Sequence, residues 1–292
     1  MTVFIGMHER TSGMIRGIQV SEKIPNARFI DIRNVNEIKK IKNEKIIFIR
    51  QLDLYLVDIL KNNGCIVGFD LLDRPVADHH KNWKEGKKRE LDWSIYNVKN
   101  VDFMICNNTT TKEKLKKYYK KDIMVIPHHT VNYENKKKKN TNISVIGYIG
   151  IPDQMMLQKE ILQLCDKYNL VFVNQHPNTR SECENLLLKI DIGVIYLDSD
   201  GYRDYVLKYK PNAKISNFQS YGIPTIACLY DSYIEFGGDA WIGVDNKEIF
   251  LYQLEFLIHN KNEYSNLCEK SYEVGKFYNI NNIINSYYSF LL

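Results

Sequence analysis

The residue types around position 212 are suited to binding an anion. Pro211 can begin a helix and Asn212 can cap it. Lys210 and Lys214 lie on either side of that helix start. The first amides of a helix lack internal partners and carry a partial positive charge, so they hold phosphate well, and two lysines add full charges. The combination indicates a phosphate site, although either lysine alone could equally be solvated.

The residues that follow predict the framework behind this site. Residues 213–221 have the pattern of a helix with Ile215 and Phe218 near one face, and Gly222 allows a left-handed stop. The run PTIACL, residues 224–229, is short, apolar and rich in residues that favour strands, which is typical of a parallel strand covered on both faces. This order of elements places the helix start at the carboxyl edge of a parallel sheet.

The segment KPNAKISNFQSYGIPTIA resembles the donor-binding segment of GT-B glycosyltransferases. In that family a loop and a helix before a G-x-P-x-I/V strand hold the diphosphate of a nucleotide sugar. The resemblance assigns donor binding to five residues here: Lys210, Asn212, Ala213, Lys214 and Asn217. Many members carry two carboxylates at positions where this chain has Tyr209 and Asn217. The lack of these carboxylates slightly favours an inverting over a retaining reaction. It does not decide between the two.

The composition is that of an ordinary globular chain, long enough for two domains. The chain has 292 residues, of which 44% are hydrophobic and 26% charged, and a net charge of +5. So modest a charge is weak support for nucleic acid as a partner. Six cysteines without a C-x-x-C pair indicate reduced thiols and a cytoplasmic location. No stretch approaches the roughly 20 apolar residues of a membrane span, which leaves peripheral membrane contact open.

The alternation of strand and helix patterns predicts an α/β fold of two doubly wound, Rossmann-like parallel-sheet domains. The first series covers 1–134 and the second 143–278. Between them, NKKKKNTN at 135–142 has no apolar residue and predicts a solvated linker. With the donor motif in the second domain, the chain looks like a compact GT-B enzyme with an interdomain cleft. The resemblance implies that a final helix, 279–292, packs back on the N-terminal domain.

The loop HERTSG, residues 8–13, follows the first predicted strand. In GT-B enzymes this loop borders the acceptor and the diphosphate. The resemblance therefore places Ser12 and Gly13 at the donor and makes His8 or Glu9 a candidate base for the acceptor hydroxyl. A base must reach the attacking oxygen and have a suitable pKa. The alternative is a surface loop whose charges pair with each other.

Asp70 and Asp73 end another predicted strand and open the loop after it. A carboxylate at this edge can act as the base or hold hydroxyls of an acceptor sugar. Two carboxylates alone do not define a metal site, and GT-B enzymes usually need no metal, so no metal is assigned. For the nearby His79 and His80 we expect hydrogen-bonding or solvated roles rather than zinc ligation.

Four further residues complete the candidate set. His128 follows Pro127 at the domain edge, where it either faces donor phosphate or packs at a hinge. Gly150 ends a G-Y-I-G turn that is too weak for a dinucleotide fingerprint but lets the backbone approach phosphates. Arg203 is a candidate phosphate ligand, and Glu235 is a candidate for binding donor hydroxyls.

Together these features imply an enzyme that moves a sugar from a nucleotide donor to a hydroxyl of a glycan or lipid-linked acceptor. The donor would be a UDP-, GDP- or other nucleotide sugar, with no further cofactor. Two alternatives stay open. The same fold could act on modified DNA bases, as some phage transferases do, with a basic groove and salt-sensitive duplex binding. A two-domain protein could instead close on a small ligand without chemistry, which would require export.

Overall fold

The computed structural model describes residues 1–72, 98–139, 142–197 and 209–291, except for the side chain of residue 290. The strands are β1 (Thr2–Gly6), β2 (Ala27–Asp31), β3 (Lys45–Ile49), β4 (Ile66–Asp70), β5 (Phe103–Cys106), β6 (Asp122–Val125), β7 (Val145–Ile149), β8 (Val171–Gln175), β9 (Ile192–Ile195), β10 (Thr225–Cys228) and β11 (Trp241–Val244). The α-helices are Thr11–Gly13, Gln19–Ser21, Val35–Ile38, Leu54–Asn62, Thr109–Leu115, Gln158–Tyr168, Arg180–Leu187, Ala213–Ser220, Asp231–Phe236, Lys247–His259, Lys261–Lys276 and Ile280–Leu291, with a π-helical turn at Met14–Ile18 and 3₁₀ turns at Val98–Asn100 and Pro152–Gln154. No helix in this part of the chain is long and apolar enough to cross a membrane.

The first sheet has six parallel strands in the order β2-β1-β3-β4-β5-β6. Its strands are largely buried because side chains cover both faces. Leu56 and Leu60 of the helix Leu54–Asn62 belong to the core on one face, and Tyr287 contacts Phe4 on the other. The strand order reverses beside β1. At such a switch point the loops diverge and leave a crevice at the carboxyl edge of the sheet.

The second sheet has five parallel strands in the order β11-β10-β9-β7-β8. Here the order reverses beside β7, so the turn after β7 lies at the switch point. All pairings are parallel in both sheets, and each α/β crossover returns the chain to the same edge. The prediction of two doubly wound parallel sheets is confirmed.

The described residues group into two compact units. The first takes in 1–128, 209–211 and 283–291, and the second takes in 129–197 and 212–282, with the gaps given above. The last helix therefore ends in the first unit. There the ring of Tyr287 lies 6.0 Å from the ring of Phe4 in an edge-on contact. Lys45 Nζ donates a hydrogen bond to the carbonyl of Leu291, which attaches the end of the helix to the start of β3.

The lysine-rich segment is attached to the second unit where it is described. Lys138 Nζ lies 2.6 Å from Asp191 Oδ1, and the lysine side chain is only 11% exposed. Lys136 pairs with Glu184. The composition predicts a solvated chain, but the neighbouring carboxylates hold these lysines. A run without apolar residues can thus be held by charge where the fold supplies partners.

The helix and strand behind the expected phosphate site form where the pattern predicts them. The helix Ala213–Ser220 has Ile215 and Phe218 buried on its inner side. Gly222 has a φ of +73°, as expected of a left-handed stop. The strand β10 follows at once, so both predictions are confirmed.

The helix Lys261–Lys276 packs on the helix Ala213–Ser220 too closely for any side chain at Gly275. A Cβ there would lie 2.3 Å from Ser220 N and 2.4 Å from Gln219 C. We expect Gly275→Ala to lower the free energy of unfolding by about 1–3 kcal/mol, because two packed backbones must separate. Urea denaturation measures this change. The exposed Ser265→Ala on the same helix is the control, and wild-type stability of Gly275→Ala would disprove the tight contact.

Candidate functional site

The turn after β7 is built around Gly150. Its φ is +155°, which favours glycine, and its N–H donates to the carbonyl of Gln175 at 3.0 Å. A Cβ at Gly150 would lie 2.0 Å from Lys214 Nζ and 2.7 Å from Tyr148 Oη. The missing side chain thus makes room for two polar groups of this chain at the switch point of the second sheet.

Lys214 reaches this turn from the first turn of the helix Ala213–Ser220. Its Nζ donates to the carbonyl of Ile149 at 2.8 Å and lies 4.6 Å from the centroid of the Tyr148 ring. A carbonyl and an aromatic face both attract a cation, so the ammonium is held in place. The structure therefore brings together Gly150 and Lys214, which are far apart in sequence but were both assigned to the donor.

Asn212 lies at the N-cap position of this helix, but its side chain does not cap it. Its Nδ2 instead donates to Ser216 Oγ. The expectation of a side-chain cap at Asn212 is wrong, because the backbone there already has helical angles (φ −67°, ψ −3°) rather than the extended angles from which a side-chain oxygen accepts a helix amide. The partial positive charge at the helix start is thus not offset by this side chain, which suits an anionic ligand.

Asn217 makes a contact within the second unit. Its Oδ1 accepts a hydrogen bond from Val131 N at 2.9 Å. This bond fastens the segment that opens the second unit to the helix Ala213–Ser220. The geometry favours an architectural role for Asn217.

The remaining residues assigned to the donor lie at several places. Ala213 is the first residue of the helix, and Glu235 is exposed on the helix Asp231–Phe236. His128, which is 4% exposed, and Lys210, which is partly buried, belong to the first unit. Arg203 lies outside the described residues. The donor contacts of these residues stay predictions.

The loop after β1 carries paired charges. Glu9 Oε1 lies 3.0 Å from Nη1 of Arg33, which also pairs with Asp31 at 2.8 Å. The hydrogen bond from Arg33 holds the pKa of Asp31 well below its usual range. His8 is exposed, and its backbone N–H donates to the same aspartate. The alternative of a loop with paired charges fits Glu9, and the base role of His8 stays a prediction.

Gly13 packs closely against the backbone of its own chain. A Cβ at Gly13 would lie 2.0 Å from the carbonyl oxygen of Met7. Ser12, before it, is partly buried in the first helical turn. The glycine therefore lets the helix start pack against the end of β1, and the donor role of both residues stays a prediction.

Asp70, at the end of β4, is buried in an ion pair. The residue is 1% exposed, and its Oδ2 lies 2.8 Å from Nε of Arg16, which is fully buried. Burial raises the pKa of the Asp70 carboxyl, and Arg16 opposes that rise. A base must reach an acceptor hydroxyl, whereas this carboxylate points at a guanidinium, so the geometry favours a structural role. Asp73, His79 and His80 lie outside the described residues.

Arg16 is a residue that the sequence pattern does not single out. Its Nη1 donates to the carbonyls of Ile126 at 3.1 Å and Pro127 at 2.9 Å, and its guanidinium lies 5.7 Å from the Tyr287 ring. It lies in the π-helical turn Met14–Ile18. Arg16 thus joins the ends of β4 and β6 to the last helix. An arginine in a helix is typically solvated, so only the tertiary structure identifies this role.

Comparison with known proteins bears on the fold. No protein-family model matches the sequence, and no curated protein is significantly similar to it. The solved structure of Anabaena Alr3699/HepE in complex with UDP and glucose matches with a TM-score of 0.70 and 8% identity, over 99% of this chain and 98% of that one. An alpha,alpha-trehalose-phosphate synthase (UDP-forming) from Burkholderia vietnamiensis matches with a TM-score of 0.62 and 8% identity, over 99% of both chains.

A third similar structure is longer than this chain. TarM, which is known from S. aureus, matches with a TM-score of 0.60 and 14% identity, over 88% of this chain and 57% of that one. At such low identities the matches bear on architecture alone. Together with the two parallel sheets and their switch points, they show that the chain has the GT-B fold.

Proposed function

We propose that the protein is a glycosyltransferase that moves a sugar from a nucleoside-diphosphate sugar to a hydroxyl group. The observation that carries the proposal is the meeting of Gly150, Lys214 and the start of the helix Ala213–Ser220 at the switch point of the second sheet. Structural neighbours support it, since HepE has been solved with UDP-glucose and the trehalose-phosphate synthase is UDP-forming.

The chemistry fits a departing diphosphate. As the bond between sugar and phosphate breaks, negative charge develops on the phosphate oxygens. Lys214 and the helix start place positive charge there, and charge held in advance where it is needed is an effective form of catalysis. The carbonyl of Ile149 already orients the ammonium, so little rearrangement is required.

For the substrates we propose a UDP-sugar donor and a glycan or lipid-linked acceptor, as in the synthesis of a surface polysaccharide or glycoconjugate. His8 is the proposed base. It is exposed at the switch point of the first sheet, whereas Glu9 is paired with Arg33 and Asp70 is buried. An imidazole nitrogen can accept the proton of an acceptor hydroxyl that binds beside it.

A thermal-shift panel of UDP, GDP, CMP and dTDP tests the donor. We expect UDP to raise the melting temperature most, because the proposed donor is a UDP-sugar. A ligand that binds only the folded protein, at a concentration of 100 times its Kd, stabilises that protein by about 2.7 kcal/mol. Release of UDP from UDP-sugars in the presence of acceptor glycans then tests turnover.

The outcomes of this panel separate the alternatives. No shift with any nucleotide would contradict the proposed function. Binding of a nucleotide sugar without its breakdown, across a broad set of acceptors, would favour a non-enzymatic binding protein. Transfer to modified duplex DNA alone would favour the phage-type reaction.

A further inference from the structure

Tyr148 is a buried tyrosine beside the turn at Gly150. It is the penultimate residue of β7 and is 0% exposed. Among the described residues, its hydroxyl has no hydrogen-bond partner. Burying a hydroxyl without a partner costs free energy, and most buried polar groups avoid that cost. A hydroxyl left in this condition beside a candidate site suggests a ligand.

The position of the Tyr148 hydroxyl indicates the kind of ligand that it would bind. Tyr148 Oη and Lys214 Nζ both lie within 2.7 Å of the point that a Gly150 Cβ would occupy, so they face the same small volume. Burial raises the pKa of Tyr148 to about 12. The hydroxyl therefore keeps its proton at neutral pH and can donate a hydrogen bond. A hydrogen-bond donor beside an ammonium group is complementary to an anionic oxygen.

We propose that the Tyr148 hydroxyl is a further ligand of the donor diphosphate and donates a hydrogen bond to a phosphate oxygen that Lys214 also binds. This inference rests on the proposed function and adds a residue to its site. A short outward movement of the flexible Lys214 side chain admits the oxygen. Binding then supplies a partner to a hydroxyl that has none among the described residues, and the free-energy cost of burying that hydroxyl is already incurred on folding.

The site offers a matched control in Tyr221. This tyrosine is also fully buried, and its hydroxyl also has no partner in the described part of the chain. It lies at the far end of the helix Ala213–Ser220, away from the helix start. Tyr148→Phe and Tyr221→Phe each remove one buried hydroxyl and keep the ring, so they differ only in where that hydroxyl lies.

Isothermal titration calorimetry with UDP and with uridine tests the proposal. We expect Tyr148→Phe to weaken UDP binding about tenfold or more, as for loss of a hydrogen bond to a charged group, and Tyr221→Phe to leave it unchanged. Uridine has no phosphate, so its binding should be the same in both variants. Without ligand, Tyr148→Phe should melt no lower than the wild type, because it removes an unsatisfied group.

Each contrary outcome has a distinct meaning. If Tyr148→Phe binds UDP as the wild type does, the inference is overturned and the proposed function stands. An equal loss in both variants, or a loss accompanied by a lower melting temperature in Tyr148→Phe, overturns it in favour of a structural role. If the wild type does not bind UDP, both the inference and the proposed donor are overturned.

Discussion

Replacing Arg16 by methionine is expected to lower the free energy of unfolding of the first unit by about 3–5 kcal/mol. The side chains of Arg16 and Asp70 are 0% and 1% exposed, so the variant leaves a buried carboxylate without its cation. The carbonyls of Ile126 and Pro127 also lose their donor. Native domains are stable by only about 5–15 kcal/mol, so the loss is large. Urea denaturation followed by circular dichroism measures it.

This loss should shrink at low pH. Burial raises the pKa of Asp70, and the variant lacks the arginine that opposes the rise. A folded-state pKa above the unfolded value of about 3.9 favours folding below that value, and this contribution is lost as the pH rises through the folded-state pKa. The difference in stability between Arg16→Met and the wild type should therefore narrow as the pH falls towards about 4, and the part due to the lost hydrogen bonds to Ile126 and Pro127 should remain. A defect independent of pH would contradict this account.

Two further variants separate the ion pair from other effects. Arg16→Met combined with Asp70→Leu should cost less than the sum of the two single changes, because no charge is left buried alone. Lys116→Met breaks an exposed pair with Glu113 and should change stability little. If the double variant shows the full sum, the two residues do not act as a pair.

The second large effect is expected at Lys214. Lys214→Ala should weaken UDP binding about 10- to 100-fold, because a charged donor to phosphate contributes roughly 1.5–3 kcal/mol. The side chain is partly exposed, so the fold should be retained. Isothermal titration calorimetry measures the affinity, and circular dichroism checks the fold.

Lys189→Ala is the matched control for charge. Lys189 is exposed in the turn that precedes β9, at the edge of the second sheet opposite the site. Both variants lose one positive charge, so a general electrostatic effect would weaken UDP binding equally in each. Unchanged affinity in Lys214→Ala, or an equal loss in Lys189→Ala, would remove Lys214 from the proposed site.

Local patterns were sufficient for the elements that frame the site. The helix Ala213–Ser220, the stop at Gly222 and the strand β10 depend on neighbours in sequence, through helical periodicity and left-handed glycine geometry. The parallel sheets followed from the alternation of strands and helices. The segment 135–142 was harder to interpret, because a run of lysines carries no information about where its partner carboxylates lie.

By itself, then, the sequence determined the α/β class, the two doubly wound sheets and the segment around Lys214. Only the tertiary structure decided which polar residues meet. Arg16 and Asp70 are 54 positions apart, and Lys214 and the carbonyl of Ile149 are 65 apart. Pairings at such separations depend on strand order and on the register of β4 and β7, which local periodicity does not encode. For that reason a carboxylate expected to be a base lies buried against an arginine, and the tyrosine beneath Lys214 emerged only from the folded chain.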